Sequence, residues 1–349
     1  MLGNSGVSER PSAAVKLFPG PGCRFSGYKE KAMEEASGYD FIGDVHGQGG
    51  LLFALLEKLG YERVPGSLAW RHPRGRRPVF LGDLIDRGPD ELAVVRTVRA
   101  MEISGAAHCV LGNHEYNDLC DFLGLENFHR GEPHVSFLGK IRGEPDFEDI
   151  LGWLFCLPLW LDLGPVRAVH ACWDPESMKR VAKFCGGNTM SPERYLKLNP
   201  KKGKDTDPDL KKVYKAADRV LSGALLALPP GVSYISRKGK VQKKIRTRWW
   251  EEGAKDYRTA AFMEMPERVP ALPLPKPVFL FRPEKPTFFG HYNQSGKRVP
   301  APVAEFAACV DFGAGSKGPL TAYRWSPEDA GPLKAENFVQ VFPERPRLV

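Results

Sequence analysis

Three short stretches hold the residues best suited to chemistry: Gly43-Asp44-Val45-His46-Gly47, Gly82-Asp83-Leu84-Ile85-Asp86-Arg87-Gly88 and Gly112-Asn113-His114-Glu115. Each follows an apolar, largely β-branched run and opens into a turn and then a helix-like pattern. That places carboxylates, an amide and imidazoles at the ends of three neighbouring strands, where open α/β sheets keep their active sites. Two later strand ends add His170 and His291. Asp, Asn and His are hard or borderline donors, and together they suit Mn²⁺, Fe²⁺, Zn²⁺ or Ni²⁺ better than Ca²⁺. The sum implies a pair of divalent metal ions, Mn²⁺ first among the candidates, of the kind that splits phosphate esters.

Spacing assigns each donor a task. Asp44 and His46 stand two apart in extended chain, so their side chains point the same way and reach one ion. Asp83 has two carboxylate oxygens and can bridge two ions. Asn113 adds an amide oxygen without charge, and His170 and His291 add imidazole nitrogens to the second ion. Two cations carry four positive charges. Asp44, Asp83 and a bridging hydroxide cancel three, and the remainder favours a phosphate anion. His114 is placed to protonate a leaving group as general acid, with Asp86 accepting its hydrogen bond and holding the proton on it. Arg87 offers a planar fork to two phosphate oxygens.

These donors need a scaffold, and the pattern supplies one. A first strand, Tyr39 to Ile42, precedes a helix with Leu51, Leu52, Leu55, Leu56 and Leu59 at helical spacing and Gly60 as its stop. Pro78 to Leu81 is a second strand. A second helix runs from Pro89 to Ile103, with Leu92, Val95, Val98 and Ile103 toward the sheet. Ala107 to Leu111 is a third strand. The β-α-β-α-β order implies parallel strands with right-handed crossovers. Leu157 to Leu163 and Val166 to Ala171 read as a hairpin around Gly164-Pro165. Farther on, Asp209 to Leu228 reads as an amphipathic helix capped by Asp207 and ended by Pro229-Pro230. A hairpin around Lys238-Gly239 follows. The expected division is a disordered leader over 1–38 and one domain over 39–349, with 173–285 as a basic insertion or cap.

The chain has 349 residues, 42% hydrophobic and 26% charged, an ordinary balance for a soluble α/β protein. No apolar run is long enough to span a bilayer. Seven cysteines without a CxxC pair, and a start without a signal-peptide core, point to reduced thiols and a cytoplasmic location. The net charge is +8, but residues 196–255 alone hold sixteen Lys/Arg against six Asp/Glu. Such a segment attracts anions, and its Trp249-Trp250 pair offers a stacking surface for bases. No nucleic-acid-binding motif accompanies it, and nothing in the sequence specifies an oligomeric state.

At the three motifs the chain resembles the calcineurin-like metallophosphoesterases, and within them the phosphoprotein phosphatase branch, whose pattern GDxHG, GDxxDRG and GNHE stands here at Gly43–Gly47, Gly82–Gly88 and Gly112–Glu115. The continuous resemblance covers about Tyr39 to Tyr116 and is looser at His170 and His291. It implies a four-layer α/β/β/α sandwich, here with an α+β insertion, and a dinuclear site at one edge. It implies Asp44, His46 and Asp83 on one ion, and Asp83, Asn113, His170 and His291 on the other. It also implies His114 with Asp86 as proton donor, and Arg87 on phosphate. Two departures matter. The eukaryotic Ser/Thr phosphatases have His-Gly-Gly where this chain has His170-Ala171-Cys172. They also carry a second phosphate-binding Arg before the last His, for which Arg248 is the candidate and Arg246 the reserve. The compact form resembles bacterial stand-alone members. The resulting expectation is a metal-dependent phosphatase that hydrolyses phosphoserine/phosphothreonine or small phosphomonoesters through a metal-bridging hydroxide. A nucleoside polyphosphate or nucleic-acid-end phosphohydrolase is the alternative, and a catalytically silent metal-binding protein the remote one.

Overall fold

The computed structural model describes residues 36–125, 136–199, 207–236, 239–262, 266–275, 281–294, 299–329 and 331–344. The leader up to residue 35, and with it most of the expected 1–38 segment, lies outside them, as do His129 and His134.

Two sheets carry the fold. The first begins with β1 (Tyr39–Ile42), followed by α1 (Gly49–Leu59), a short hairpin of β2 (Glu62–Arg63) and β3 (Trp70–Arg71), β4 (Arg77–Phe80), α2 (Glu91–Ile103) and β5 (His108–Cys109). Helix α3 (Asn113–Phe122) and helix α4 (Phe147–Cys156) come next. The second sheet opens with the antiparallel pair β6 (Trp160–Asp162) and β7 (Arg167–Val169), the expected hairpin. The insertion supplies α5 (Pro175–Cys185), α6 (Pro208–Ser222), β8 (Leu225–Ala227) and β9 (Lys244–Arg246). Strands β10 (Thr287–Phe289), β11 (Ala307–Cys309), β12 (Leu320–Trp325) and β13 (Phe338–Val341) complete the chain. The sheet orders are β13-β12-β1-β4-β5 and β11-β10-β7-β6. β1, β4 and β5 run parallel, as the β-α-β-α-β order demands, and β12 and β13 add antiparallel.

Alternation within the strands explains why the sheets stack. Phe41, Val79 and Leu81 of the first sheet and Ala168, Phe288 and Ala308 of the second share one buried cluster. Phe41 and Phe288 stack at 3.8 Å between ring centres. Burying such a ring contributes about 1.5–3 kcal/mol. The alternate residues, Ile42, Phe80 and Cys109, or Val169, Phe289 and Cys309, face outward into the helical layers. In α1 the buried residues Leu52, Leu55, Leu56 and Leu59 make the stripe predicted from spacing, and Gly60 ends the helix at φ 86°. The result is the α/β/β/α sandwich with an α+β insertion.

Several boundaries differ from the sequence reading. Pro89 precedes α2, whose cap is Asp90, and Ile103 is exposed at the frayed last position. Helix α6 stops at Gly223 (φ 85°), not at Pro229-Pro230. Leu225–Ala227 then pairs antiparallel with Lys244–Arg246, because a left-handed glycine frees the next residues to extend. Trp249 and Trp250 are buried against Phe289, so they form core rather than a stacking surface for bases. Cys109, Cys120, Cys172 and Cys309 are buried thiols, whereas Cys156 is disulfide-bonded, against the expectation of thiols throughout. Among the described residues no helix is long and apolar enough to cross a membrane.

Candidate metal centre

The five strand ends named by the sequence meet at one edge of the sandwich. Asp44 and His46 follow β1, the Gly82–Gly88 loop follows β4, and Gly112–Glu115 follows β5. His170 directly follows β7, and His291 follows β10 by one residue. The first three strands belong to one sheet and the last two to the other, so the site spans both.

The loops pay for this convergence with strained backbone. Six described non-glycine residues have positive φ, and five are at this site: His46 (47°), Asp83 (51°), Asp86 (68°), Arg87 (71°) and His291 (61°). Each such conformation costs about 1–2 kcal/mol, and persists only where the surroundings over-determine it. Two buried carboxylates do that. Glu115 accepts the backbone N–H groups of Asp83 (2.9 Å), Leu84 (2.8 Å), Ile85 (3.3 Å) and Gly112 (3.0 Å). Glu91 accepts the Asp86 N–H at 2.7 Å and the Lys140 ammonium at 2.8 Å. Burial pushes the Glu115 carboxyl up, to about 7, while the backbone donors favour its charged form. Close approach does the rest. A Cβ on Gly290 would stand 2.1 Å from Asp44 Oδ1, and one on Gly112 would stand 2.2 Å from the Asp83 nitrogen.

The side chains present mostly lone pairs to one another. His170 Nδ1 lies 2.6 Å from the Leu81 carbonyl and His46 Nδ1 lies 2.9 Å from that of Ile85. A carbonyl only accepts, so each Nδ1 carries the proton and each Nε2 presents a lone pair. His170 Nε2 then faces Asn113 Oδ1 at 3.0 Å, His291 Nδ1 at 3.2 Å and Asp83 Oδ1 at 3.4 Å. His46 Nε2 faces Asp83 Oδ2 at 3.7 Å. Burial keeps these rings neutral: His46 is lowered to about 4, and His170 and His291 are lowered too. Asp83 lies between both sets. Burial opposes its charge, but the protonated His114 beside it lowers the carboxyl. Carboxylate, amide and imidazole groups converging this closely fit cations. Atoms of His46, Asp83 and His114, and of Asp83, His170 and His291, lie close enough to surround a cation, although His114, held protonated, has no lone pair to give.

Asp44 is buried and accepts the His291 N–H through both oxygens at 3.1 Å. Burial raises its carboxyl, with the charges of Asp311 and Asp83 adding to the effect. Asp311 is buried and shares a hydrogen bond with Asp44. Sequence reading missed Asp311, Glu91 and the role of Glu115. Only Glu115 left a signal, as the acidic residue of a motif.

His114 Nδ1 and Asp86 Oδ2 are 2.5 Å apart, the pairing expected from sequence. Burial disfavours the imidazolium, yet Asp83 and the Asp86 hydrogen bond raise it to about 9. Arg87 is exposed, with Nη2 3.3 Å from His114 Nε2. Arg248 turns away. It donates to the Thr259 carbonyl and lies 3.7 Å from Glu251, so the geometry does not bring it to the site. Arg246, the reserve, sits over the Tyr292 ring at 5.8 Å, and its charge acts on His291 and His170.

Comparison with known proteins agrees with this picture. Residues 39–205 match the family model of the calcineurin-like phosphoesterases. The asymmetrical bis(5′-nucleosyl)-tetraphosphatase PrpE of Halalkalibacterium halodurans is 50% identical over 76 residues, 22% of this chain and 30% of that protein. The symmetrical bis(5′-nucleosyl)-tetraphosphatase of Photorhabdus laumondii subsp. laumondii is 32% identical over 146 residues, 41% of this chain and 47% of that protein. The chain thus spans less than half the length of either relative. Among solved structures, a cold-active protein tyrosine phosphatase is similar with a TM-score of 0.47 and 16% identity, over 88% of this chain and 79% of that one. Residues 39–205, which hold all three motif loops, are thus similar to the calcineurin-like phosphoesterases.

Proposed function

We propose that this protein is a dinuclear-metal-dependent phosphohydrolase acting on nucleoside polyphosphates. The observation that carries the hydrolase reading is the acceptor cluster around Asp83, flanked by a protonated His114. Asp44, His46 and Asp83 would hold one cation, and Asp83, Asn113, His170 and His291 the other. When bound, the two ions neutralise the cluster, polarise phosphoryl oxygens and acidify a water. The rest falls to the chain. His114, protonated below about 9, carries the proton that a leaving oxygen needs, and Asp86 orients it. A protonated His114 and Arg87 face each other as donors at 3.3 Å. An anion lying beside both relieves that opposition, which suits the oxygens of a phosphoryl group. Arg246 adds positive charge from the other side.

The relatives' activity as tetraphosphatases of bis(5′-nucleosyl) compounds favours a nucleoside polyphosphate over the phosphoserine/phosphothreonine or small monoester expected from the sequence. The second reading keeps the same centre and takes monoesters. Mn²⁺-reconstituted enzyme assayed on diadenosine tetraphosphate, p-nitrophenyl phosphate and a phosphothreonine peptide separates the two. Preference for the first by at least tenfold in kcat/KM is the expected result. Preference for either monoester overturns the nucleotide reading, and metal-independent turnover overturns both.

A further inference from the structure

A cleft of 570 Å³ opens at the start of α2, where Pro89 and Asp90 follow the Gly82–Gly88 loop, a volume in the range of small-ligand sites. Phe53, Arg63, Leu68, Trp70, Asp90 and Leu92 line it. Its inner end is continuous with the motif loops. The Asp90 N–H donates to the Gly47 carbonyl at 2.9 Å, and a Cβ on Gly49 would stand 2.8 Å from that of Asp90. Asp90 itself follows Arg87 by three residues.

Three features of the cleft bear on a ligand, although Trp70 and Phe53 also pack in the core. Trp70 and Phe53 stack at 6.1 Å and 12°, and the exposed Arg63 guanidinium lies over both, 4.8 Å and 5.2 Å from their ring centres. Arg63 makes no ion pair among the described residues. Leu68, at the hairpin tip, is 56% exposed. Asp90 stands at the cap of α2, yet its carboxylate accepts no capping hydrogen bond and is exposed. A flat cationic ledge, an apolar rim and a lone acceptor together suit a nucleoside. A base stacks on the guanidinium, its edge rests on Leu68, and ribose hydroxyls donate to Asp90. A phosphoamino acid has no flat ring for the ledge.

We propose that this cleft is a nucleoside subsite, which holds one end of the substrate while its phosphate chain reaches the metal centre; it rests on the nucleotide reading above. Adenosine, which lacks phosphate, isolates the subsite from the metals. Calorimetric titration of adenosine into metal-free full-length protein should show saturable binding, weakened about tenfold by Arg63→Glu and by Leu68→Asp. Both positions are exposed, and thermal melts check that the variants fold. With Mn²⁺ loaded, the same variants should raise KM for diadenosine tetraphosphate about tenfold and leave kcat/KM for p-nitrophenyl phosphate unchanged. Absence of adenosine binding, or binding indifferent to both substitutions, overturns the subsite. Adenosine binding that the variants weaken, in an enzyme that cleaves p-nitrophenyl phosphate but not diadenosine tetraphosphate, keeps the subsite and discards the substrate reading.

Discussion

Glu115→Gln is the most incisive perturbation of the scaffold, because it exchanges one oxygen for an NH₂ group and leaves the volume nearly unchanged. The Glu115 carboxylate accepts four backbone N–H groups, two on each oxygen: Leu84 and Ile85 on one, Asp83 and Gly112 on the other. An amide keeps one oxygen and turns an NH₂ group toward two N–H donors. Two hydrogen bonds to a charged group are lost, at about 1.5–3 kcal/mol each. The expected destabilisation is therefore about 3–6 kcal/mol, a large part of a domain's total of about 5–15 kcal/mol. Urea unfolding in EDTA measures it without any contribution from metal. The same variant should bind Mn²⁺ at least tenfold more weakly, because Asp83 and its neighbours no longer have their positive φ enforced. A loss below about 1 kcal/mol with unchanged Mn²⁺ affinity would refute the clamp.

Four further outcomes follow from the structure. His114→Ala should lower kcat by about 10²–10⁴ while metal content stays unchanged, and Asp86→Asn should move the alkaline limb of the kcat profile below its wild-type position, since the Asp86 hydrogen bond helps hold His114 protonated up to about 9; an unmoved limb removes His114 as the titrating acid. Gly290→Ala places a methyl 2.1 Å from Asp44 Oδ1, so metal affinity should fall at least tenfold by calorimetry, and an unchanged value contradicts the placement of Asp44. His108, buried on β5 away from the site, is lowered by burial and then by Arg77 to about 4. The unfolded chain takes up its proton near 6.5, so this stability is complete above 6.5 and is lost as pH falls toward 4, by about 3 kcal/mol. Urea midpoints at pH 7 and 4.5 should therefore differ more in wild type than in His108→Leu.

The strands, the helices and the motif residues that meet at the site were legible in the sequence because those signals are local. Period-two strands such as Tyr39–Ile42 and the leucine stripe of α1 need no tertiary information, and a motif such as Gly82–Gly88 declares its own turn. Glu91 and Asp311 were illegible, because a carboxylate that clamps a distant backbone leaves no periodic mark. Arg248, before Trp249-Trp250, was the candidate and Arg246 the reserve, and the antiparallel pairing of Lys244–Arg246 with Leu225–Ala227, which sets where Arg246 lies, leaves no mark in the sequence. That pairing depended on Gly223 ending α6 early. Trp249 and Trp250 misled for the opposite reason: an aromatic pair in a basic segment looks exposed until Phe289 packs against it.

The direct test of the account is the metal count at Asp83. Protein stripped with EDTA, reconstituted with Mn²⁺ and crystallised should show two anomalous peaks about 3.5–4 Å apart, one on each side of the Asp83 carboxylate, and Asp83→Asn should lose both. A single peak, or two peaks with Asp83 touching neither, contradicts it.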